Sequence, residues 1–273
     1  MNNTVMNRMD AAFEKLKSEG KTALIPFITV GDPHIDVTLE LLLGMEQSGA
    51  DMIELGVPYS DPLADGPVIE RASARALQND ITLRDSLQVA KKARERGANI
   101  PYVLFTYYNP VFQYGAEKLF KEMVDSEISG IIIPDLPLEE STPIREIADR
   151  YSIHLVPLVA PTSKERVQQI AQHGRGFIYC VSSLGVTGVR SSFAANIEQF
   201  LQEVRTATNL PIAIGFGISN AEHVRRFSSH CDGVVVGSAI VRQIEEALPL
   251  LQSPQTAQDG VLQICKFVRE LKS

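Results

Sequence analysis

Leu24-Ile25-Pro26-Phe27-Ile28-Thr29-Val30 is an almost unbroken apolar run that stops at Gly31-Asp32-Pro33. Asp36–Ser48 follows, with apolar side chains at Val37, Leu41, Leu42 and Met45, the spacing of one helix face. Then comes Met52-Ile53-Glu54-Leu55-Gly56-Val57, a second apolar run. The unit reads as strand, helix, strand. Its strand segments are continuous rather than alternating, which suits parallel strands buried on both faces.

The same unit recurs along the chain. Further strand-like runs lie at Tyr102–Tyr107, Gly130–Ile133, Leu155–Val159, Phe177–Val181, Pro211–Phe216 and Gly233–Val236, making eight. Amphipathic helical patterns separate them at Arg84–Arg96, Glu117–Val124, Ile144–Tyr151, Lys164–His173, Ile197–Thr206, Ala221–Ser228 and Arg242–Leu251, and Val261–Leu271 ends the chain. Thr162-x-x-Glu165 and Ser219-x-x-Glu222 read as capping boxes. Eight alternations predict a closed parallel eight-stranded sheet ringed by helices, the (β/α)8 TIM barrel of the α/β class. An open doubly wound sheet would more often carry Gly-x-Gly-x-x-Gly after its first strand, and Val30-Gly31-Asp32-Pro33 is not that motif. The chain is expected to be one domain over 1–273, with extra helices in 1–20 and 258–273.

One interval breaks the rhythm. Predicted strand starts are 22 to 34 residues apart, except for 50 between the second and third. The excess, 61–80, is an insertion at the carboxyl end of the second strand. Barrel active sites are built from loops at that end, so the insertion itself points to function.

Composition removes several classes. Lys and Arg number 26 against 33 Asp and Glu, a net charge of −7, which disfavours a protein that tracks phosphates along nucleic acid. No run approaches the ~20 apolar residues of a membrane span. The polar N-terminal stretch has the marks of neither a secretory signal nor a transit peptide. Cys180, Cys231 and Cys265 are widely spaced, as expected of free thiols in a reducing compartment such as the cytoplasm or a plastid stroma.

Glu54 stands inside an apolar strand, and none of the eight runs contains a Lys or Arg to pair with it. A desolvated, unpaired carboxyl has a raised pKa, fit for acid/base work near neutrality. Asp65, in Leu63-Ala64-Asp65-Gly66-Pro67, is equally well explained as a helix cap or as a catalytic carboxylate. Asp61 before Pro62 has a turn-forming reading, and Asp135 after the fourth strand has a loop-ordering one. Glycines close the last three strands in Gly185-Val-Thr-Gly188, Gly215-Phe-Gly217 and Gly237-Ser238. Three such loops in succession point to a phosphate cradle.

None of the ten lysines falls at a strand's carboxyl end, which disfavours a Schiff-base aldolase. The five histidines are scattered, and no metal site is expected. Phe27, Phe105, Tyr107, Tyr179 and Phe216 are core residues by default, and together they suit an apolar pocket for an aromatic ring. The residues by themselves therefore indicate a barrel enzyme using carboxyl acid/base chemistry on a phosphorylated molecule with an apolar part.

Glu54-Leu-Gly-Val-Pro-Tyr-Ser-Asp-Pro-Leu-Ala-Asp65-Gly-Pro67 resembles the tryptophan synthase alpha-chain family, and the similarity runs from Leu24 to the last helix. The resemblance implies retro-aldol cleavage of indole-3-glycerol phosphate to indole and glyceraldehyde 3-phosphate, at the end of tryptophan biosynthesis. It makes Glu54 the acid/base, Asp65 the acceptor for the indole N–H, and Tyr179 a supporting group. It places phosphate at Gly188, Gly217, Gly237 and Ser238, and indole among Phe27, Phe105, Tyr107 and Phe216. Thr187 would belong to a closing lid. It further implies no cofactor in this chain, and a beta-subunit partner carrying pyridoxal phosphate, met around Pro58, Asp61 and Asn109 in an alpha2beta2 heterotetramer. A lyase working without a partner, another phosphate-binding barrel enzyme and an idle regulatory subunit are the competing readings.

Overall fold

The computed structural model of the chain describes residues 6–161, 164–181, 190–215 and 217–273, with backbone alone for 190–196. Among the described residues nine strand segments form one sheet: β1 Ala23–Thr29, β2 Ile53–Gly56, β3 Tyr102–Phe105, β4 Ile128–Ile132, β5 His154–Leu155, β6 Leu158–Val159, β7 Ile178–Val181, β8 Ile212–Gly215 and β9 Gly233–Val236. Their order is β5-β4-β3-β2-β1-β9-β8-β7-β6, and every pairing is parallel.

The expected fifth strand, Leu155–Val159, is thus two short segments. Pro157 has no N–H to donate, and the chain changes sheet partner there, from β4 to β7. Val156 donates its N–H to Ile131 C=O on β4 (2.9 Å), and Pro157 C=O accepts from Tyr179 N–H on β7 (3.0 Å). The two ends of the sheet order meet across these two residues, which curls the sheet round on itself.

Side chains alternate between two environments. Ile25, Met52, Val103, Ile132, Val156, Phe177, Ala213 and Val235 form an inner cluster. Leu24, Ile53, Leu55, Leu104, Ile131, Ile178, Ile214 and Val234 belong to the outer layer between sheet and helices. Met9, Phe13 and Leu16 of the helix Arg8–Ser18 join the inner cluster, so this helix stoppers the end where the strands begin. His154 lies there too, paired with Asp10 of the same helix (Nε2–Oδ2 2.9 Å).

Two local expectations are corrected. The helix Ala221–Ser228 is capped by Asn220, whose side chain accepts from His223 N–H, and not by Ser219. Tyr107 lies beyond β3, where it begins a helix, Tyr108–Tyr114, that the sequence pattern did not suggest. Thr162 lies outside the described residues. The insertion folds as the helix Pro67–Leu77, and Thr82 and Asp85 form a capping box for the next helix, Leu83–Glu95.

Candidate active site

Glu54 sits on β2 between Ile53 and Leu55, which face outward, so its own side chain faces the barrel interior with Met52. It is 1% exposed. Neither carboxyl oxygen has a hydrogen-bond partner among the described residues. Burial alone pushes its pKa up to about 8. At neutral pH Glu54 is therefore a protonated acid.

Tyr179 enters the interior from β7, near enough to Glu54 for that carboxyl to help raise the phenol's pKa, which burial already lifts. Its hydroxyl leans over Gly215, where a Cβ would stand 2.2 Å from the phenol oxygen. Gly56 plays the same part for Phe27: a Cβ there would come within 2.4 Å of the ring. Both glycines are needed for these close approaches. Phe27 meets Phe105 edge-on with ring centres 5.7 Å apart, and Phe105 meets Tyr107 at 6.4 Å. Three of the four expected ring-pocket residues therefore converge beside Glu54's end of the barrel. Phe216 lies outside the described residues.

Asp65 does not cap the insertion helix. The cap position belongs to Gly66, and no side chain caps it. Asp65 is half-buried, and burial pushes its pKa up to about 6, with the Tyr107 hydroxyl drawing it down and Glu70 pushing it further up. Tyr107 does more than line a pocket. Its oxygen accepts Ala64 N–H at 3.0 Å, and its hydroxyl lies close enough to the Asp65 carboxylate to draw that group's pKa down. Its ring stacks on Tyr59 with centres 5.1 Å apart. The sequence reading missed this brace, because it took Tyr107 as the end of a strand.

Gly237 and Ser238 stand at the N-terminus of the helix Ser238–Glu246, past the end of β9. The first N–H groups of a helix lack intrahelical acceptors and favour anions. Ile69 of the insertion helix and Phe27 lie 3.8–3.9 Å from where a Gly237 Cβ would be. The cradle and the ring pocket are therefore adjacent. Gly217 is exposed, with φ of +54°, past the end of β8. Gly188 and Thr187 lie outside the described residues.

Of the expected partner contacts, Asp61 and Asn109 are exposed and Pro58 is buried. Asn109 donates to the Tyr59 hydroxyl at 3.4 Å, and Asp61 accepts from Ser60 at 2.5 Å. Nearby Leu63 is 82% and Phe112 67% exposed. Asp135 accepts Tyr108 N–H at 2.8 Å, the loop-ordering role.

One more buried polar group went unread. Thr29 closes β1 in register with Gly56, shares the inward set with Phe27, and its hydroxyl has no partner among the described residues. The period of two was the available signal. No group of three metal-ligating side chains occurs among the described residues. A cavity of about 160 Å³ lined by Pro134, Leu138, Arg145 and Ile170 shares none of the site residues.

Residues 13–272 match the family model described as tryptophan synthase alpha chain. The tryptophan synthase alpha chain of Geobacillus kaustophilus is 51% identical over 247 residues, covering 90% of this chain and 92% of that one. That of Halalkalibacterium halodurans is 47% identical over 268 residues, 98% of this chain and all of its own. Among solved structures, tryptophan synthase subunit alpha from Legionella pneumophila superposes with a TM-score of 0.88 at 33% identity, covering 98% of each chain. By the match over nearly its whole length, and with all-parallel strands curled round the Glu54 interior, the chain belongs to the tryptophan synthase alpha chain family.

Proposed function

We infer that this chain cleaves indole-3-glycerol phosphate into indole and glyceraldehyde 3-phosphate. The observation that carries this reading is Glu54: an enclosed carboxyl with no hydrogen-bond partner among the described residues, beside a cluster of aromatic rings. The bond to be broken joins indole C3 to a carbon bearing a hydroxyl. Protonation of C3 turns the ring into a cationic indolenine. Loss of the hydroxyl proton then breaks the carbon–carbon bond, its electrons return to the ring, and indole and an aldehyde leave.

Glu54, protonated at neutral pH, gives the proton to C3. The resulting carboxylate takes the hydroxyl proton, so the cycle ends where it began. Asp65 titrates near 6 and is mostly ionised at pH 7, ready to accept the indole N–H and balance the positive ring. Two carboxyl groups with separated pKa values thus divide acid from anion. Gly217 and the Gly237–Ser238 helix start hold the phosphate, with Gly188 completing the cradle. Phe27 and Phe105 hold the ring, and Tyr179 stands beside the reacting carbon. Thr187 belongs to the lid. The chemistry is assigned to side chains, with no cofactor in this chain.

Indole is then passed to a beta subunit carrying pyridoxal phosphate, in an alpha2beta2 assembly. The exposed Leu63 and Phe112, beside Asp61 and Asn109, favour this partnered form over a lyase acting alone. The bacterial relatives and the free, buried cysteines support a cytoplasmic setting. The test is indole release from indole-3-glycerol phosphate by the wild type and Glu54→Gln, with and without a beta subunit. The wild type should release indole, faster with the partner, and Glu54→Gln should not. Equal rates for the two would remove Glu54 from the mechanism.

A further inference from the structure

The helix that follows Asp65 is fastened in two directions. Arg75 forms a two-pronged pair with Asp32 beyond the end of β1, Nε–Oδ1 at 2.7 Å and Nη2–Oδ2 at 2.9 Å. The Asp32 side chain is fully enclosed, and Arg75 only 19% exposed. The third guanidinium nitrogen reaches Glu245 Oε1 at 2.9 Å, on the helix Ser238–Glu246. Arg71 grips the same carboxylate with two bonds of 2.7 Å. Asn79 adds a bond to Pro33 C=O at 2.7 Å. Between these polar ties, Val68, Ile69 and Ala72 of the insertion helix pack in one cluster with Val241 and Phe27.

Three separate pieces of chain are thereby joined: the loop after β1, the helix carrying Asp65 at its base, and the helix whose start is the anion cradle. We propose that Arg75 and Glu245 are positioning residues. They fix the helix behind Asp65 against the helix behind Gly237–Ser238, and so set the separation between the carboxylate that meets the ring and the groups that hold the phosphate. This rests on the functional reading above. A substrate held by its phosphate presents its ring at one distance. A carboxylate displaced by even an ångström then loses rate rather than affinity.

Glu245→Gln is the decisive variant. Glu245 is partly exposed, and Asp32 keeps its pair with Arg75, so no buried charge is stranded. Its kcat for indole release should fall about tenfold. KM and the Kd for glycerol 3-phosphate should stay within about twofold, since Ile240, Val241 and Ile244 still bury the cradle helix. The melting temperature should be unchanged. Arg71→Ala, which leaves Arg75 on Glu245, should lose less than about threefold in kcat. A second check is Asp32→Asn combined with Arg75→Met, which removes the charge pair together with its link to Glu245. It should retain folding and glycerol 3-phosphate binding but not the wild-type kcat. A kcat for Glu245→Gln within about twofold of the wild type, or a loss matching the fraction unfolded, would overturn the proposal. A wild type that binds glycerol 3-phosphate yet releases no indole would instead overturn the functional reading.

Discussion

β1 and β2 are neighbours, and each is associated with one carboxyl group buried to the same 1% exposure, Asp32 just past the end of β1 and Glu54 within β2. The two are otherwise opposites. Asp32 is held by both prongs of Arg75, and that guanidinium draws down a pKa that burial raises. Glu54 has no cation and no hydrogen bond among the described residues. A paired buried carboxylate is a fastening, and its removal is felt as stability. An unpaired one is a poised acid, and its removal is felt as rate. Depth of burial does not separate the two; the partner does.

The largest expected effect breaks the comparison by chemistry. Glu54→Gln should lower indole release by about 10³-fold, whereas Asp32→Asn, which keeps both reacting carboxyl groups, should lower it far less. Melting curves should rank them the other way. Asp32→Asn is expected to lose up to about 3 kcal/mol by breaking the pair on a fully enclosed carboxylate, with Glu245 still holding Arg75, and Glu54→Gln should unfold no more easily than the wild type at neutral pH.

The next effect lies in pH. Glu54 titrates near 8 in the folded protein against 4.5 for an unperturbed side chain. Its raised value means that folding favours the protonated form. That stability is complete below pH 4.5 and is lost as pH rises toward 8. Glu54→Gln lacks this loss. Its stability advantage should grow across that interval, to an upper bound of about 5 kcal/mol above pH 8, read from urea midpoints at several pH values.

The smallest effect sharpens the account of Asp65. The Tyr107 hydroxyl lowers the Asp65 pKa against the pull of burial. Tyr107→Phe should move the acid limb of the rate profile above pH 6 and lower the rate at pH 7 by about threefold. An unmoved limb would separate Tyr107 from that carboxylate.

The two carboxyl groups also differ in how far they were legible before any coordinates. Glu54's isolation could be read directly, because a parallel strand's apolar run lists its own neighbours and none was basic. Asp32's partner could not be read. Arg75 is 43 residues away on the insertion helix, and only docking of that helix brings it near. The same limit hid the Tyr107 brace, since an apolar run does not say where its strand stops. Ser219 and Asn220 are both good caps one residue apart, and local chemistry does not choose between them. Pro157 lay in plain view, but Pro26 is carried inside the unbroken β1, so a proline alone does not say where a strand divides. The repeat of strand and helix was legible because burial on both faces marks every parallel strand alike.

The central claim is that Glu54 is held as an uncharged acid at neutral pH. Difference infrared spectra of the wild type against Glu54→Gln, taken from pH 4 to pH 10, measure this directly. A protonated carboxyl band present at pH 7 and lost around pH 8 is the predicted result. Disappearance of that band near pH 4.5, with Glu54 ionised at neutrality, would contradict it.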